Sequence, residues 1–316
     1  MKILANDGLA PSAIAKLKTN GFDVLTTTVA QEQLENYIKT HSIDILLVRS
    51  ATQVRKDLID GCSSLKIIGR GGVGLDNIDV AYAQKKGIKV IHTPAASSDA
   101  VAELVFAHLL GGWRFLHDAN RNMPLDGDTK FKELKKAYAK GVELRGKTIG
   151  IIGFGRIGQA TAKMALGMGM KVLFHDPNVE KAIIELHYFD GQRLAFTLEG
   201  ISKAHLLQNA DVISLSLPVQ KSYVLSTHDF EIMKEGVAII NTARGGVLDE
   251  VALIQAIENG KVSFAGLDVF ESEPTPEIRI LMHPQISLSP HIGAATVEAQ
   301  ERIGLELANQ IIASIN

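Results

Sequence analysis

The sequence predicts an α/β protein with two domains, each built around a doubly wound parallel β-sheet. Short apolar runs alternate with amphipathic helical patterns along most of the chain, which is typical of strand–helix–strand units. The 316 residues provide enough length for roughly two domains. A polar and basic stretch at 120–146 interrupts the alternation, so we expect one sheet before this stretch and a second sheet after it.

The first 95 or so residues predict five strands separated by helices. The strands are expected at Lys2–Ala5, Asp23–Thr26, Ile45–Val48, Lys66–Gly69 and Val90–His92. The helices are expected at Pro11–Thr19, Gln31–Thr40, Lys56–Asp60 and Val80–Lys86. A proline at a helix start and a glycine after a helix end fit the first of these helices.

The second half predicts six further strands, the number found in a complete doubly wound sheet. They are expected at 148–153, 171–175, 211–216, 237–241, 263–268 and 286–289. Helical patterns are expected at 156–168, 202–209, 229–234 and 249–259. The stretch 180–200 gives no clear pattern.

The amphipathic helix at Thr296–Ile315 follows a sheet that is already complete, so we expect it to pack on the first domain. The first domain is then discontinuous, with residues 1–97 plus 291–316, and residues 98–290 form the second domain. Two domains of this kind place the active site in a cleft at the carboxyl ends of their sheets.

The segment between the two sheets begins with an apolar helix at Ser97–Asn120. This helix is too apolar for a surface position, so we expect it to be buried between domains or between subunits. We expect a turn at Met123–Gly127, within a polar arm that leads into the second sheet.

A glycine-rich turn joins the first strand of the second sheet to a helix. Gly153, Gly155 and Gly158 fit the pattern G-x-G-x-x-G, which permits a tight turn, close approach of the backbone to a pyrophosphate, and close packing of helix on strand. Backbone N–H groups at the helix start, from Arg156 and Ile157, favour an anion. The motif predicts a Rossmann-type dinucleotide site.

An acidic residue stands where such a site binds the adenosine ribose. Asp176 ends the next strand and lies 18 residues after Gly158. Because a carboxylate at this place repels a 2′-phosphate, the sequence predicts NAD rather than NADP as the cofactor.

Composition excludes several other classes of protein. A formal net charge of −2 argues against a nucleic-acid or membrane-surface partner. The single cysteine, Cys62, cannot form an internal disulfide and is expected to be a small buried residue. With no signal peptide or transmembrane span and no metal motif in evidence, we expect a cytoplasmic protein without a metal site.

Three groups of residues that can carry chemistry follow predicted strands. Arg244 follows one strand at a glycine turn, and its guanidinium can hold a carboxylate through two hydrogen bonds. Asp268, Glu271 and Glu273 follow another, and His291 stands where a strand leads into a helix. Histidine titrates near neutral pH and suits the proton step of alcohol oxidation.

Several motifs in order resemble those of the D-isomer-specific 2-hydroxyacid dehydrogenases, most closely the branch that oxidises D-3-phosphoglycerate. The resemblance covers nearly the whole chain. The motifs lie at Val48–Thr52, Gly69–Asn77, Gly146–Gly153, Asn241–Gly246, Ala265–Glu271 and Ser289–Gly293.

The resemblance implies a role for each matching residue. The catalytic set is Arg244 for the substrate, Glu273 as the partner of the histidine, and His291 as the general acid/base, with Glu271 as a bystander. The implied cofactor contacts beyond the glycine turn are Thr242, Ala243, Asp268, Gly293 and Ala294. The implied substrate contacts are Arg49, Arg70, Gly72, Val73 and Ser98.

The resemblance also leaves alternatives open. The substrate is expected to be D-3-phosphoglycerate, the starting point of serine synthesis, or else glyoxylate, hydroxypyruvate or lactate. Arg49 favours the phosphorylated acid, and the lysine-rich segment 132–140 could add another cation. A protein that senses the dinucleotide and acts as a corepressor is a third possibility. The family implies a homodimer, and no regulatory domain is expected after residue 316.

Overall fold

The computed structural model describes residues 1–315, which form two compact units. The first unit comprises Met1–Ser98 and the segment that begins at Ala294, and the second comprises Asp99–Gly293. Each unit is built around a parallel sheet with helices, so the predicted α/β fold class is confirmed. We predicted divisions after residues 97 and 290, whereas these units divide after Ser98 and after Gly293.

Five parallel strands form the sheet of the first unit. They are β1 (Lys2–Ala5), β2 (Asp23–Leu25), β3 (Ile45–Val48), β4 (Ile67–Arg70) and β5 (Lys89–His92). Their order is β2-β1-β3-β4-β5, and the register pairs Leu4 with Leu46 and Leu46 with Ile68. The strand order changes direction at β1, because β2 lies on one side of β1 and β3 lies on the other. At such a point, an α/β sheet forms a crevice at the carboxyl ends of its strands.

Helices cover both faces of this sheet. They are α1 (Pro11–Thr19), α2 (Gln31–His41), α3 (Lys56–Gly61), α4 (Val80–Lys85) and the C-terminal helix Val297–Ile315. Ile303 and Leu307 of the C-terminal helix share a buried cluster with Ile3 and Leu47 of the sheet. The C-terminal helix therefore packs on the first unit, as its amphipathic pattern predicted.

Six parallel strands form the main sheet of the second unit, and two more form a hairpin. The strands are β6 (Thr148–Ile152), β7 (Lys171–His175), β8 (Lys181–His187), β9 (Arg193–Glu199), β10 (Val212–Leu215), β11 (Val237–Asn241), β12 (Val262–Leu267) and β13 (Ile286–Leu288). The order of the main sheet is β13-β12-β11-β10-β6-β7. Its reversal lies between β6 and β10, beside the glycine turn that follows β6.

The helices of the second unit pack on both faces of the six-stranded sheet or extend from it. They are α5 (Ser98–Trp113), α6 (Leu116–Asp126), α7 (Phe131–Ala137), α8 (Arg156–Gly167), α9 (Lys203–Asn209), α10 (Thr227–Ile232), α11 (Glu250–Glu258) and α12 (Ile278–Leu281). Val105, Phe106 and Leu109 of α5 share a buried cluster with Ile149 and Ile151 of β6. None of the helices in residues 1–315 has the length and apolar character needed to cross a membrane.

The segment after α5 differs from the prediction. Instead of one helix to Asn120, Phe115 adopts a left-handed φ of 57° that separates α5 from α6. The turn expected at Met123–Gly127 is wrong, because Pro124 lies inside α6. Pro124 removes one N–H donor from the helix, and α6 ends two residues later at Asp126.

The stretch 180–200, for which we predicted no element, is the hairpin β8–β9. Ile184 pairs with Phe196 and Leu186 with Leu194 in an antiparallel register. The sequence does contain a signal for a β-hairpin, because Asp190–Gly191 is a common turn sequence and lies between segments of alternating apolar residues.

Candidate active site

The glycine turn after β6 requires glycine at two positions. Gly153 has a φ of +91°, and a Cβ at this residue would lie 2.3 Å from the carbonyl oxygen of Ser216. A Cβ on Gly158 would lie 2.2 Å from the carbonyl oxygen of Gly153. At these two positions the backbone is therefore packed too tightly for any side chain.

Gly155 has a different environment, because its ideal Cβ position has no atom within 4 Å. It is the N-cap of α8, and no side chain in the described chain caps this helix. The N–H groups of Arg156 and Ile157 therefore lie at a helix end bordered by open space. Such an end suits an anionic phosphate, so this turn fits a dinucleotide.

Asp176 follows β7 and is held next to this turn. Its Oδ2 accepts a hydrogen bond from the N–H of Phe154 at 2.7 Å, and its Oδ1 accepts one from the N–H of Asn178 at 2.8 Å. The carboxylate therefore has a fixed position and retains lone pairs that can accept hydrogen bonds from hydroxyl groups.

His291 lies in a strained backbone conformation after β13. Its φ is 55°, in the left-handed region that residues with a side chain rarely adopt. The backbone N–H donates to the carbonyl oxygen of Asp268 at 2.8 Å. Strain of this kind persists only where the surrounding structure holds it, and it often marks a functional position.

Glu273 is the hydrogen-bond partner of His291. Glu273 Oε2 lies 2.9 Å from His291 Nδ1, and Oε1 accepts from the N–H of Phe270 at 3.0 Å. Burial raises the pKa of Glu273, but the bonds from His291 and Phe270 and the charge of Arg244 outweigh it, so the pKa lies below its ordinary value. An ionised Glu273 holds the proton on Nδ1 and leaves Nε2 for another partner.

Asp268 holds the loop that carries His291. It is 1% exposed, and its Oδ1 accepts from Ser289 Oγ at 2.6 Å and from the N–H of Ile292 at 2.8 Å. Its Oδ2 accepts from the N–H of Gly293 at 2.8 Å. The side chain of Asp268, which we predicted to contact the cofactor, thus accepts three hydrogen bonds from the loop that carries His291.

Arg244 lies in the turn after β11. Its Nη1 donates to the carbonyl oxygen of Ala243 at 2.7 Å, and Asn241 Nδ2 donates to the carbonyl oxygen of Arg244 at 2.8 Å. This turn packs directly on the turn after β12, because a Cβ on Gly245 would lie 1.9 Å from the carbonyl oxygen of Phe270. The structure therefore brings Arg244 together with Glu273 and His291.

Glu271 does not pair with His291. Its Oε1 accepts from the N–H of Glu250 at 3.0 Å, its Oε2 accepts from Tyr223 at 3.0 Å, and its own N–H donates to Glu250 Oε1 at 2.8 Å. Burial, together with the charges of nearby glutamates, raises the pKa of Glu250 to about 7. Sequence reasoning missed Glu250, because an acid in the first turn of a helix is also expected from the helix dipole alone.

Two buried hydroxyl groups among the predicted contacts have no hydrogen-bond partner within residues 1–315. They are Thr242 Oγ1, in the turn before Arg244, and Ser98 Oγ, at the start of α5. A buried polar atom left without a partner costs free energy, so each is suited to a polar group of a ligand.

The substrate contacts expected in the first unit lie at the carboxyl ends of its strands. Arg49 follows β3, and its N–H donates to Asp7 Oδ2 at 2.6 Å. The loop after β4 contains Gly72, whose φ is +146° and whose ideal Cβ position would overlap the guanidinium of Arg70. Val73 is partly exposed in the same loop. The two arginines thus border the same edge of the sheet.

The remaining predicted contacts follow His291. Gly293 donates its N–H to Asp268, and the carbonyl oxygen of Ala294 accepts from Gln300 Nε2 at 2.6 Å. No cluster of histidine, cysteine or acidic side chains suited to a metal ion occurs in the described part of the chain.

Known proteins resemble this chain over most of its length. Residues 106–293 match the model of the NAD binding domain of D-isomer specific 2-hydroxyacid dehydrogenases. The chain is 42% identical over 315 residues to a hydroxypyruvate reductase of Thermotoga maritima, covering 98% of this chain and 97% of the relative.

A second relative is longer. The chain is 39% identical over 313 residues to a D-3-phosphoglycerate dehydrogenase of Methanocaldococcus jannaschii, covering 98% of this chain and 57% of the relative. Among solved structures, a D-lactate dehydrogenase of Aquifex aeolicus complexed with NAD and lactic acid matches with a TM-score of 0.76 at 30% identity. That match covers 100% of this chain and 95% of the other.

Proposed function

This chain belongs to the D-isomer specific 2-hydroxyacid dehydrogenase family, and we propose that it interconverts D-3-phosphoglycerate and 3-phosphohydroxypyruvate. The family and the NAD cofactor that the sequence predicted are confirmed by the comparisons. The observation that carries the catalytic assignment is the hydrogen bond between His291 Nδ1 and Glu273 Oε2, in a loop packed beside Arg244. That the active site lies in a cleft between the two domains stays a prediction.

His291 is the proposed general acid/base. With Nδ1 donating to Glu273, Nε2 accepts the hydroxyl proton during oxidation and returns a proton to the carbonyl oxygen during reduction. The ionised carboxylate of Glu273 stabilises the protonated imidazole and fixes the orientation of the ring. The pair therefore suits transfer of a proton to and from the substrate oxygen.

Arg244 is the proposed anchor of the substrate carboxylate. A guanidinium binds a carboxylate through two parallel hydrogen bonds, and its fixed charge also polarises the neighbouring carbonyl. In this position Arg244 orients the carbon that bears the hydroxyl group toward His291.

The glycine turn, Asp176 and Thr242 are the proposed cofactor contacts. The N–H groups at the start of α8 would hold the pyrophosphate, and Asp176 would accept bonds from the adenosine ribose. NAD, when bound, supplies the acceptor or donor of the hydride. A carboxylate fixed at the end of β7 supports the preference for NAD over NADP.

Arg49 and Arg70 support a substrate that has a second anionic group besides its carboxylate. Arg49 follows β3 and Arg70 is the last residue of the adjacent strand β4, beside the Gly72 loop. Burial lowers the pKa of Arg49, and nearby Asp7 opposes this, but a guanidinium stays charged at physiological pH. One phosphate in addition to the carboxylate would make use of these cations.

Hydroxypyruvate is the second candidate substrate. The Thermotoga maritima hydroxypyruvate reductase matches this chain along nearly all of both chains, whereas this chain spans a little more than half of the phosphoglycerate dehydrogenase relative. Hydroxypyruvate and 3-phosphohydroxypyruvate differ only by the phosphate group. Comparing them therefore isolates the phosphate contact that we propose for Arg49.

The test is NADH oxidation with 3-phosphohydroxypyruvate, hydroxypyruvate, glyoxylate and pyruvate. We expect the highest kcat/KM for 3-phosphohydroxypyruvate. Arg49→Ala should lower kcat/KM about 30-fold for this substrate, and at most about threefold for hydroxypyruvate, because one charge-assisted contact is lost. A wild-type preference for hydroxypyruvate, or an equal loss for both substrates, would overturn the phosphorylated assignment. Binding of NADH without turnover of any substrate would favour a sensing protein.

The arm formed by α6 and α7 supports a homodimer. Neither helix contains a buried residue, and Leu116, Met123, Leu125 and Phe131 are exposed. A second copy of this chain would cover these apolar side chains. Light scattering should give the mass of a dimer, and Leu125→Glu should give a monomer, whereas Val251→Glu, at an exposed site on α11, should not. A monomeric wild-type protein would contradict the proposal.

A further inference from the structure

His108 is a buried histidine that sequence reasoning did not single out. It lies on α5, is 5% exposed, and uses both ring nitrogens. Nδ1 lies 2.9 Å from Ser287 Oγ on β13, and Nε2 lies 2.9 Å from Ser289 Oγ. The ring thus joins α5 to the segment that leads to His291.

The hydrogen bonds determine where the protons lie. Ser289 Oγ has one hydrogen, which it donates to Asp268 Oδ1 at 2.6 Å. The same oxygen must therefore accept from His108, so Nε2 carries a proton. Burial lowers the pKa of His108, and the nearby His117 lowers it further, although the charge of Asp268 opposes this effect. The lowered pKa favours a neutral ring, whose Nδ1 accepts a hydrogen bond from Ser287.

Packing fixes the ring in this position. A Cβ on Gly266 of β12 would lie 2.6 Å from the Cβ of His108 and 3.0 Å from its Cγ. Only glycine allows the helix to approach β12 so closely, two residues before Asp268. The imidazole and the carboxylate are therefore both held against the same strand.

The other end of this chain of hydrogen bonds is the loop of His291. Asp268 accepts the N–H groups of Ile292 and Gly293 through its carboxylate, and that of His291 through its carbonyl oxygen. These bonds oppose the strain at His291, where φ is 55°.

We propose that His108 is a positioning residue for His291, acting through Ser289 and Asp268. By donating to Ser289 Oγ, His108 keeps the serine hydrogen directed at Asp268, which in turn holds the backbone on the C-terminal side of His291. The inference rests on the proposed function of His291. Ser289 does not act as a nucleophile activated by His108, because its hydrogen is donated to Asp268 rather than to the imidazole.

Two amide substitutions distinguish the roles of the two ring nitrogens of His108. The amide of His108→Gln can reach the place of Nε2 and donate to Ser289, whereas the shorter His108→Asn can reach only the place of Nδ1. We expect His108→Asn to lower kcat about tenfold, the effect of one hydrogen bond, with KM for NADH and for the 2-oxo acid within about twofold. His108→Gln should stay within about threefold of the wild type in kcat.

Amide hydrogen exchange gives a readout that needs no turnover. In His108→Asn and in Ser289→Ala, exchange at Ile292 and Gly293 should be about tenfold faster, with β12 and β13 unchanged. Ser287→Ala removes the other bond of the same ring and serves as the control, for which we expect exchange at these two amides to match the wild type.

Equal kcat and equal exchange in His108→Asn and wild type would overturn the inference, as would a uniform rise in exchange across β12 and β13. A wild-type protein with no turnover of any 2-oxo acid would instead count against the proposed function, and the exchange measurement would still decide the role of His108.

Discussion

Both sheets end in a loop that is held by an aspartate. In the first unit, Asp7 accepts from the N–H groups of Arg49 and Thr52 through Oδ2, and from the hydroxyl of Thr52 through Oδ1. In the second unit, Asp268 accepts two backbone N–H groups and the hydroxyl of Ser289. Each aspartate thus fixes a loop that carries a cationic or titratable side chain.

The two loops differ in burial and in backbone strain. Asp268 is fully buried, and its loop contains His291 at a positive φ, whereas Asp7 is partly exposed and no residue from Arg49 to Thr52 has a positive φ. The difference fits the proposed roles. A group that binds a phosphate tolerates small movements, while a group that transfers a proton must be held within hydrogen-bond reach of the reacting atom.

Among substitutions that test the difference between the two loops, Asp268→Asn should have the largest effect, and Asp7→Asn is its counterpart in the first unit. The amide group cannot accept all three bonds that Asp268 accepts, so kcat should fall about 100-fold. Asp7→Asn should instead raise KM for the phosphorylated substrate about tenfold, with kcat changed less than about threefold. Steady-state kinetics measure both, and a fall in kcat of similar size in the two variants would remove the distinction between the loops.

Glu273→Gln should have the next largest effect. The amide oxygen can still accept from Nδ1, but the charge that stabilises the protonated imidazole is lost. We expect the acid limb of the pH profile for hydroxy-acid oxidation to move down by about one pH unit, with kcat lowered about tenfold. An unchanged profile would show that Glu273 does not act on His291 electrostatically.

The lowered pKa of Glu273 also predicts a limit at low pH. Because its folded pKa lies below the ordinary value, its contribution to stability is present above the unfolded pKa and is lost as pH falls through the folded pKa. Wild-type stability should therefore fall more steeply than that of Glu273→Gln in this range, as measured by chemical denaturation.

Asp176 extends the comparison to a third aspartate at a strand end. Asp176→Ala should relax the ratio of kcat/KM for NADH over NADPH by about tenfold, because the repulsion of a 2′-phosphate is lost. Overall efficiency should also fall, since the bond to the N–H of Phe154 disappears. Steady-state kinetics with NADH and with NADPH measure this ratio, and an unchanged ratio would contradict the proposal that Asp176 binds the adenosine ribose.

The smallest effect on rate should come from Glu250→Gln, whose main effect is on stability. The pKa of Glu250 is raised to about 7, so the wild type loses stability as pH rises from the unfolded pKa toward 7. The amide can still accept from the N–H of Glu271 without a buried charge. The free energy of unfolding of Glu250→Gln should therefore rise, relative to that of the wild type, by on the order of 2 kcal/mol between pH 5 and pH 8. If the two proteins differed in this free energy by the same amount at both pH values, the raised pKa of Glu250 would be contradicted.

The sequence was sufficient for the parts of the molecule that have a strong periodic or motif signal. Continuous apolar runs such as Ile45–Val48 became buried parallel strands, and the glycine turn after β6 required glycine at Gly153 and Gly158. These features are local, since a run of apolar residues or a positive φ depends on few neighbours.

The parts that the sequence did not reveal depend on distant contacts. His108 and Ser289 are 181 residues apart, and an isolated histidine on an apolar helix has no pattern that marks its partners. The mutual bonds of Glu250 and Glu271 likewise join two separate turns. The missed proline inside α6 has another cause, because a helix with no buried face leaves no apolar periodicity to outweigh a proline signal.

Whether His291 transfers the proton can be measured by the turnover of His291→Ala with 3-phosphohydroxypyruvate, followed by NADH absorbance, alongside NADH binding followed by fluorescence. We expect the wild type to consume NADH, and the variant to bind NADH with an unchanged Kd but to be at least about 1,000-fold slower. Turnover by His291→Ala at the wild-type rate would contradict this expectation.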